Sequence, residues 1–206
     1  MLMAALKLAK KEVFIQSPVF NASPIVEAVL EACKRGVTVT LYIGLGFNDF
    51  AEGVVPFQGG TNDTVRGKLM EELSKVNKDQ FLKWHWYVAK DQKAPLRFEK
   101  QARNCHVKFL QVDGQVAIMG MRETPNLWLM LTGSGNMDTQ SWFHSQEVNV
   151  MVDSEFLVNE WRENFAANQN TEKFGLTDKD GNLVSGEPVP KKQGIGGLSR
   201  AQGGFL

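Results

Sequence analysis

The sequence predicts an α/β fold, and three observations carry that expectation. A helix-periodic stretch lies between two strand-like runs near the amino terminus. An Asp-Gly dipeptide joins two further runs in the middle of the chain, and a later strand-like run leads straight into an amphipathic stretch. Strand–helix–strand succession favours parallel pairing, whereas Asp-Gly between apolar runs favours an antiparallel hairpin.

Taken in order, residues 12–16 (EVFIQ) read as a short strand closed by Ser17-Pro18. Ser23 followed by Pro24 supplies a helix start, with Ser23 expected as the N-cap. Ile25, Val26, Val29, Leu30 and Cys33 then recur on one helical face, and Gly36 ends the helix. Residues 37–43 form a β-branched run that reads as a buried strand parallel to the first. A glycine-rich excursion over 44–60 carries Phe47, Phe50 and Phe57; rings that anchor the loop to the core are favoured over rings that touch acyl chains. A helix over 64–77, a strand over 82–88 and a polar loop over 89–104 follow. Residues 106–112 and 115–119 flank Asp113-Gly114 as hairpin strands. Residues 148–152 form another strand, and Asp153 or Ser154 caps a helix with Leu157, Trp161 and Phe165 on one face. One domain over residues 1–167 is expected, and the glycine-rich stretch 168–206 reads as a disordered or loosely draped tail.

Composition narrows the function classes. The chain has 206 residues with 23 Lys+Arg against 23 Asp+Glu, a formal charge of zero that argues against bulk attraction to nucleic acid. Two cysteines, Cys33 and Cys105, make neither a disulfide framework nor a zinc site. No apolar run is long enough for a membrane span, and the opening stretch is amphipathic and unlike a secretory leader. An intracellular location follows as the expectation, cytoplasmic or peripheral to a membrane.

The chemistry concentrates in His106-Val107-Lys108, then Asp113, then Gly133-Ser134-Gly135-Asn136. Alternate residues of a strand share a face, so His106 and Lys108 are expected side by side. A neutral imidazole beside an ammonium suits attack on a phosphodiester: the imidazole is the nucleophile, and the lysine balances charge on the phosphoryl oxygens. Ser134 and Asn136 lie in a small-residue turn whose donors can face an anion. The pattern His-x-Lys-x4-Asp arises by chance about 0.01 times in a chain of this composition. His85, among aromatics, and His144, just before Glu147, begin no second such pattern and read as structural.

These residues resemble the signature of the phospholipase D superfamily, His-x-Lys-x4-Asp-x6-Gly-Ser-x-Asn. The likeness continues through Asn136-Met137-Asp138-Thr139-Gln140-Ser141-Trp142 to the acidic Glu147, with Gln140 where the family has Arg and Ser145 where it has Asn. The chain resembles a C-terminal catalytic half. The resemblance implies an α/β fold of the phospholipase D-like β-α-β-α-β sandwich type, a mixed sheet flanked by helices, and a metal-independent, cofactor-free, two-step phosphodiesterase. By the same likeness His106 attacks phosphorus, Lys108 and Asn136 hold the phosphoryl oxygens, Ser134 assists, Asp113 supports the motif strand and Glu147 orients the imidazole.

Two departures qualify the pattern. The family builds one site from two motifs, and this sequence holds one, so the second must come from a missing N-terminal half or from a homodimer partner. The x6 spacing is also interrupted: removing the 13 residues 121–133 would join Gly120 to Ser134 and restore it. Either a genuine loop or a splice or gene-model artefact accounts for this insert. Glycerophospholipid is the favoured substrate, and the competing readings are a nuclease of the same superfamily or an inactive remnant that binds phospholipid or a partner chain.

Overall fold

The computed structural model describes residues 2–47, 49, 59–97, 103–121, 136–145 and 148–191. Its centre is a six-stranded mixed sheet. The strands are β1 (Glu12–Ser17), β2 (Thr38–Ile43), β3 (Leu82–Trp86), β4 (Phe109–Val112), β5 (Val116–Met121) and β6 (Val148–Asp153), in the spatial order β3-β2-β1-β4-β5-β6. β1 and β2 pair in parallel, from Glu12 with Thr38 to Ser17 with Ile43. β3 extends that parallel set, whereas β4, β5 and β6 are antiparallel to their neighbours. This is the α/β class and mixed sheet that the sequence predicts.

The crossover between β1 and β2 is helix α2 (Ser23–Lys34), packed beside the N-terminal helix α1 (Leu2–Leu8). Its N-cap is Ala22 and not Ser23, and no side chain caps it. Pro24 lies in the first turn, where its missing N–H costs nothing, so the helix starts one residue early without a hydroxyl cap. Gly36, at φ +90, ends it in the left-handed region. Helix α3 (Asn62–Ser74) is capped by Thr61, whose hydroxyl accepts from Thr64 N at 3.3 Å.

The two faces of the sheet are covered unequally. One buries Val13, Ile15, Val39, Leu41, Ile43, Trp84 and Leu110 under α1, α2 and α3. The other carries a smaller cluster, Phe14, Tyr42, Phe109, Ala117 and Val158, under helix α5 (Glu155–Ala167); the short helix α4 (Thr139–Phe143) precedes β6. Ser154 caps α5 as expected, accepting from Leu157 N. Its inward face is Val158, Trp161 and Phe165, while Leu157 is exposed.

The stretch expected to be a draped tail from Asn168 onward packs as far as residue 191. It forms the short helix α6 (Thr171–Phe174) and then runs along the free edge of β3. Trp86 N donates to Gly175 O and Thr177 N donates to Trp84 O, both at 2.9 Å. Leu183 is buried, and Arg66 donates to Thr177 Oγ1 and to Asp178 O. Composition misleads because hydrogen bonds to a strand edge order this segment with few apolar side chains. Residues 192–206 lie outside the described residues.

Candidate active site

β1 and β2 end at Ser17 and Ile43, and β4 begins with Phe109 opposite Gln16. Lys108 is therefore level with the last residue of β1, and Val107 and His106 lie past the C-terminal ends of the parallel strands, where open α/β sheets place their ligands. His106, Val107 and Lys108 precede the ladder and do not belong to it. Even so, the expected pairing is met. Lys108 Nζ lies 2.9 Å from His106 Nδ1 and 3.2 Å from Nε2, and donates to His106 O at 3.0 Å. Lys108 is 5% exposed, while His106 faces solvent. Partial burial and the lysine charge both hold the imidazole below its ordinary pKa, which favours the neutral ring.

Asn136 arrives at the same edge from the other side of the signature. Its neighbour Met137 bridges Phe20, just beyond β1, and Met137 O accepts from the backbone N–H groups of Asn21 and Ala22. Among the described residues the buried Asn136 Oδ1 has no hydrogen-bond partner. The signature carboxylate Asp138 is a helix cap: it accepts from Ser141 N at 2.6 Å and starts α4. Asn21 Oδ1 accepts from Thr139 N. Asn62 ties the loops together by accepting from Phe20 N and donating to Pro18 O and Gly44 O.

Asp113 stands at the opposite end of β4, in the hairpin turn with φ +52. Its carboxylate accepts from the N–H groups of Lys10, Lys11 and Glu12 at 2.8–2.9 Å, stapling the hairpin to the start of β1. It lies at the end of β4 away from His106 and Lys108. Ser134, Glu147 and residues 122–135 lie outside the described residues, as do Phe50 and Phe57. Met121, the first residue of the insert, is the last residue of β5 and pairs with Val148.

His85 is buried in β3 against Tyr42, with ring centroids 4.8 Å apart, and its Nδ1 lies 3.3 Å from Thr171 O. His144 is exposed at the C-terminus of α4. Neither joins the site. Two residues not expected at the site border it, Phe47 (read from sequence only as a loop ring) and Gln16, and Arg97 lies behind the Phe47 turn. Phe47 lies with its ring centroid 5.9 Å from that of His106. Gln16 donates to Cys105 Sγ, beside His106, and exchanges amide hydrogen bonds with Gln169. Arg97 binds Asp49 and Asp63. A glutamine inside an apolar strand run was the one signal for Gln16; Arg97 had none.

The family model described as "Cardiolipin synthase, PLD-like domain" matches residues 2–168. The chain belongs to this PLD-like family. Nuc from Salmonella typhimurium, a phospholipase D family member, shares 16% identity over 84% of this chain and 86% of its own, with a TM-score of 0.53. NucT from Helicobacter pylori shares 12% identity over 85% and 87%, with a TM-score of 0.54. The phosphatidylserine synthase of Haemophilus influenzae Rd KW20 shares 14% identity over 80% of this chain and 34% of its own, with a TM-score of 0.50. These structural likenesses establish the PLD-like fold. No curated protein matches the sequence. The segment 169–191, which covers the β3 edge, continues past the matched PLD-like domain. Among the described residues no helix is long and apolar enough to cross a membrane, and no three His, Cys, Asp or Glu residues cluster as metal ligands.

Proposed function

We propose that this PLD-like chain is a phosphodiesterase or phosphatidyltransferase working through a phosphohistidine, with glycerophospholipid as substrate. The observation that carries the reading is the Lys108 ammonium within hydrogen-bond reach of the neutral His106 imidazole at the carboxyl edge of the sheet. Before substrate binds, the ammonium is held by the ring and by His106 O. A phosphodiester offers it stronger anionic acceptors, so Lys108 turns to a phosphoryl oxygen and frees a ring nitrogen for attack. Asn136 supplies its amide N–H to a second phosphoryl oxygen.

In the first step an N–P bond forms as the P–O bond to the leaving group breaks. The departing oxygen takes a proton from a second histidine. In the second step water or an alcohol loses its proton to that histidine and attacks phosphorus, the N–P bond breaks, and His106 is regenerated. The chain holds one His-x-Lys motif, so the acid is the partner subunit's His106 in a two-fold dimer. The likeness to Nuc and NucT over 86% and 87% of their own chains supports a second copy of this fold as the source of the acid. The zero net charge and the description of the matching family support a lipid over a nucleic acid.

The test traps the acid-labile, alkali-stable N–P adduct: brief reaction with phosphate-labelled phosphatidylglycerol, then alkaline quench and mass spectrometry of the peptide holding His106. One phosphatidyl group per two chains, read as its alkali-deacylated glycerophosphoryl remnant, is expected, abolished by His106→Asn and unaffected by chelator. Turnover of a DNA oligonucleotide with none of the lipid would transfer the site to nucleic acid. Retention of activity in His106→Asn would remove the nucleophile assignment.

A further inference from the structure

The imidazole of His106 is exposed and sits on a segment outside the sheet ladder, so nothing in the strand itself fixes its orientation. Lys108 restrains one side. The ring of Phe47 lies on another, with centroids 5.9 Å apart and planes inclined by 37°. Phe47 belongs to the turn after β2, and that turn is built to hold one shape. Gly44 passes so close to β1 that a Cβ there would lie 2.8 Å from Pro18 O. Gly46, at φ +71, lies under the Arg97 side chain, leaving no room for a Cβ.

Arg97 is the clamp. It is 10% exposed and binds Asp49, two residues past Phe47, together with Asp63 in the first turn of α3. Its Nε also donates to Pro190 O of the C-terminal segment at 2.9 Å. Burial works against the guanidinium charge, but Asp63 and Asp49 hold its pKa above the ordinary value. Four separate parts of the chain thus fix the turn that presents Phe47. A ring needed only to fill space would not require such a frame around a half-exposed position.

We propose that Phe47 is a positioning residue for the nucleophile, its ring walling the His106 imidazole so that a ring nitrogen stays turned to the phosphate site. This rests on the reading of His106 given above. A ring that rotates freely spends most of its time misaligned, and misplacement by about 1 Å costs on the order of 10²-fold in rate. The same wall keeps water off one face of the imidazole.

The experiment compares Phe47→Ala, Phe47→Leu and Phe47→Tyr in the full chain. Turnover of bis(p-nitrophenyl) phosphate is measured, with histidine C–H NMR titrations alongside. The chain has three histidines, so His106 is assigned by its loss in His106→Asn. Phe47→Ala should lower kcat about 10²-fold with KM changed less than about threefold. It should also shift the His106 resonance by removing the ring current and raise its titration midpoint towards 6.5 as water returns. Phe47→Leu, which keeps the apolar packing of the turn, should show the same resonance shift with a smaller loss of kcat. Phe47→Tyr should restore both within a few-fold. An unchanged His106 resonance and midpoint in both Ala and Leu variants would overturn the proposal, even if kcat fell. The NMR arm needs no turnover, so an active His106→Asn enzyme would overturn the nucleophile reading separately.

Discussion

The ammonium of Lys108 stands 2.9 Å from Nδ1 of His106, close enough that the charge of one sets the protonation of the other. Partial burial, and then this like charge, hold the imidazole below its ordinary pKa. Removing the ammonium therefore raises the His106 midpoint. Lys108→Met should move it upward in an NMR titration and leave less neutral imidazole at pH 7. Its phosphodiesterase rate should fall about 10²–10³-fold, since the phosphoryl oxygens lose their cation as well. A His106 midpoint that stays in place would show that the pair is a contact of the unliganded side chains without electrostatic consequence.

His85 gives a pH dependence of a different kind. Burial drives its pKa down to about 4 despite the Thr171 carbonyl beside Nδ1. An unfolded chain takes up a proton on this ring near pH 6.5, whereas the folded chain refuses it until about pH 4. Stability contributed by the neutral ring is complete above 6.5 and is lost as pH falls through that window, by about 3 kcal/mol in total. Chemical denaturation between pH 7 and 4 should show the loss, and His85→Gln should flatten it. Equal slopes in the two proteins would mean that other groups set the acid limb.

How much of this was legible follows from what each element rests on. The β1-α2-β2 unit and the hairpin depend on local signals, an apolar period and an Asp-Gly turn, and both were readable. The His106–Lys108 pair needed only two-residue spacing, though the expected strand starts later, at Phe109. Phe47 was visible as an aromatic in a glycine-rich loop, but its place beside His106 depends on Arg97, 50 positions further along. The order β3-β2-β1-β4-β5-β6 and the burial of Gln169 against Gln16 are likewise long-range outcomes with no local trace.

Asp113 separates support from catalysis. Its φ of +52 is one that asparagine tolerates, so Asp113→Asn changes the carboxylate and spares the turn. Burial alone would raise the carboxyl pKa, but the N–H groups of Glu12, Lys10 and Lys11 and the Lys11 charge bring it below the usual value of 3.8. The stability it contributes is present above pH 3.8 and lost as pH falls through the lower folded value. At pH 7 the substitution should cost about 1 kcal/mol, because one amide oxygen replaces a carboxylate that serves three donors. Thermal melts should record this while kcat stays within a few-fold of the parent. A loss of activity at full stability would place Asp113 in the reacting site.

The C-terminal segment gives the last test, because it covers an edge that the matched PLD-like domain, ending at residue 168, leaves bare. Gln169 is 9% exposed and Gln16 is 2% exposed, and their side-chain amides bond to each other in both directions at 3.0 and 3.4 Å. Thr171 Oγ1 donates to Gln169 Oε1 at 2.7 Å, so the pair is anchored to α6. Gln169→Leu leaves the Gln16 amide buried with Cys105 Sγ as a weak remaining acceptor. An unsatisfied buried polar group costs about 1–3 kcal/mol, and the melting temperature should fall accordingly. Ending the chain after Ala167 removes this pair and also exposes Trp84 and Trp86 backbone groups on β3. That truncated protein should be less stable than Gln169→Leu and should self-associate through the bared edge, seen as a concentration-dependent shift in sedimentation. A truncated chain that melts with the parent and stays at the parent's oligomeric state would show that the segment only drapes the edge.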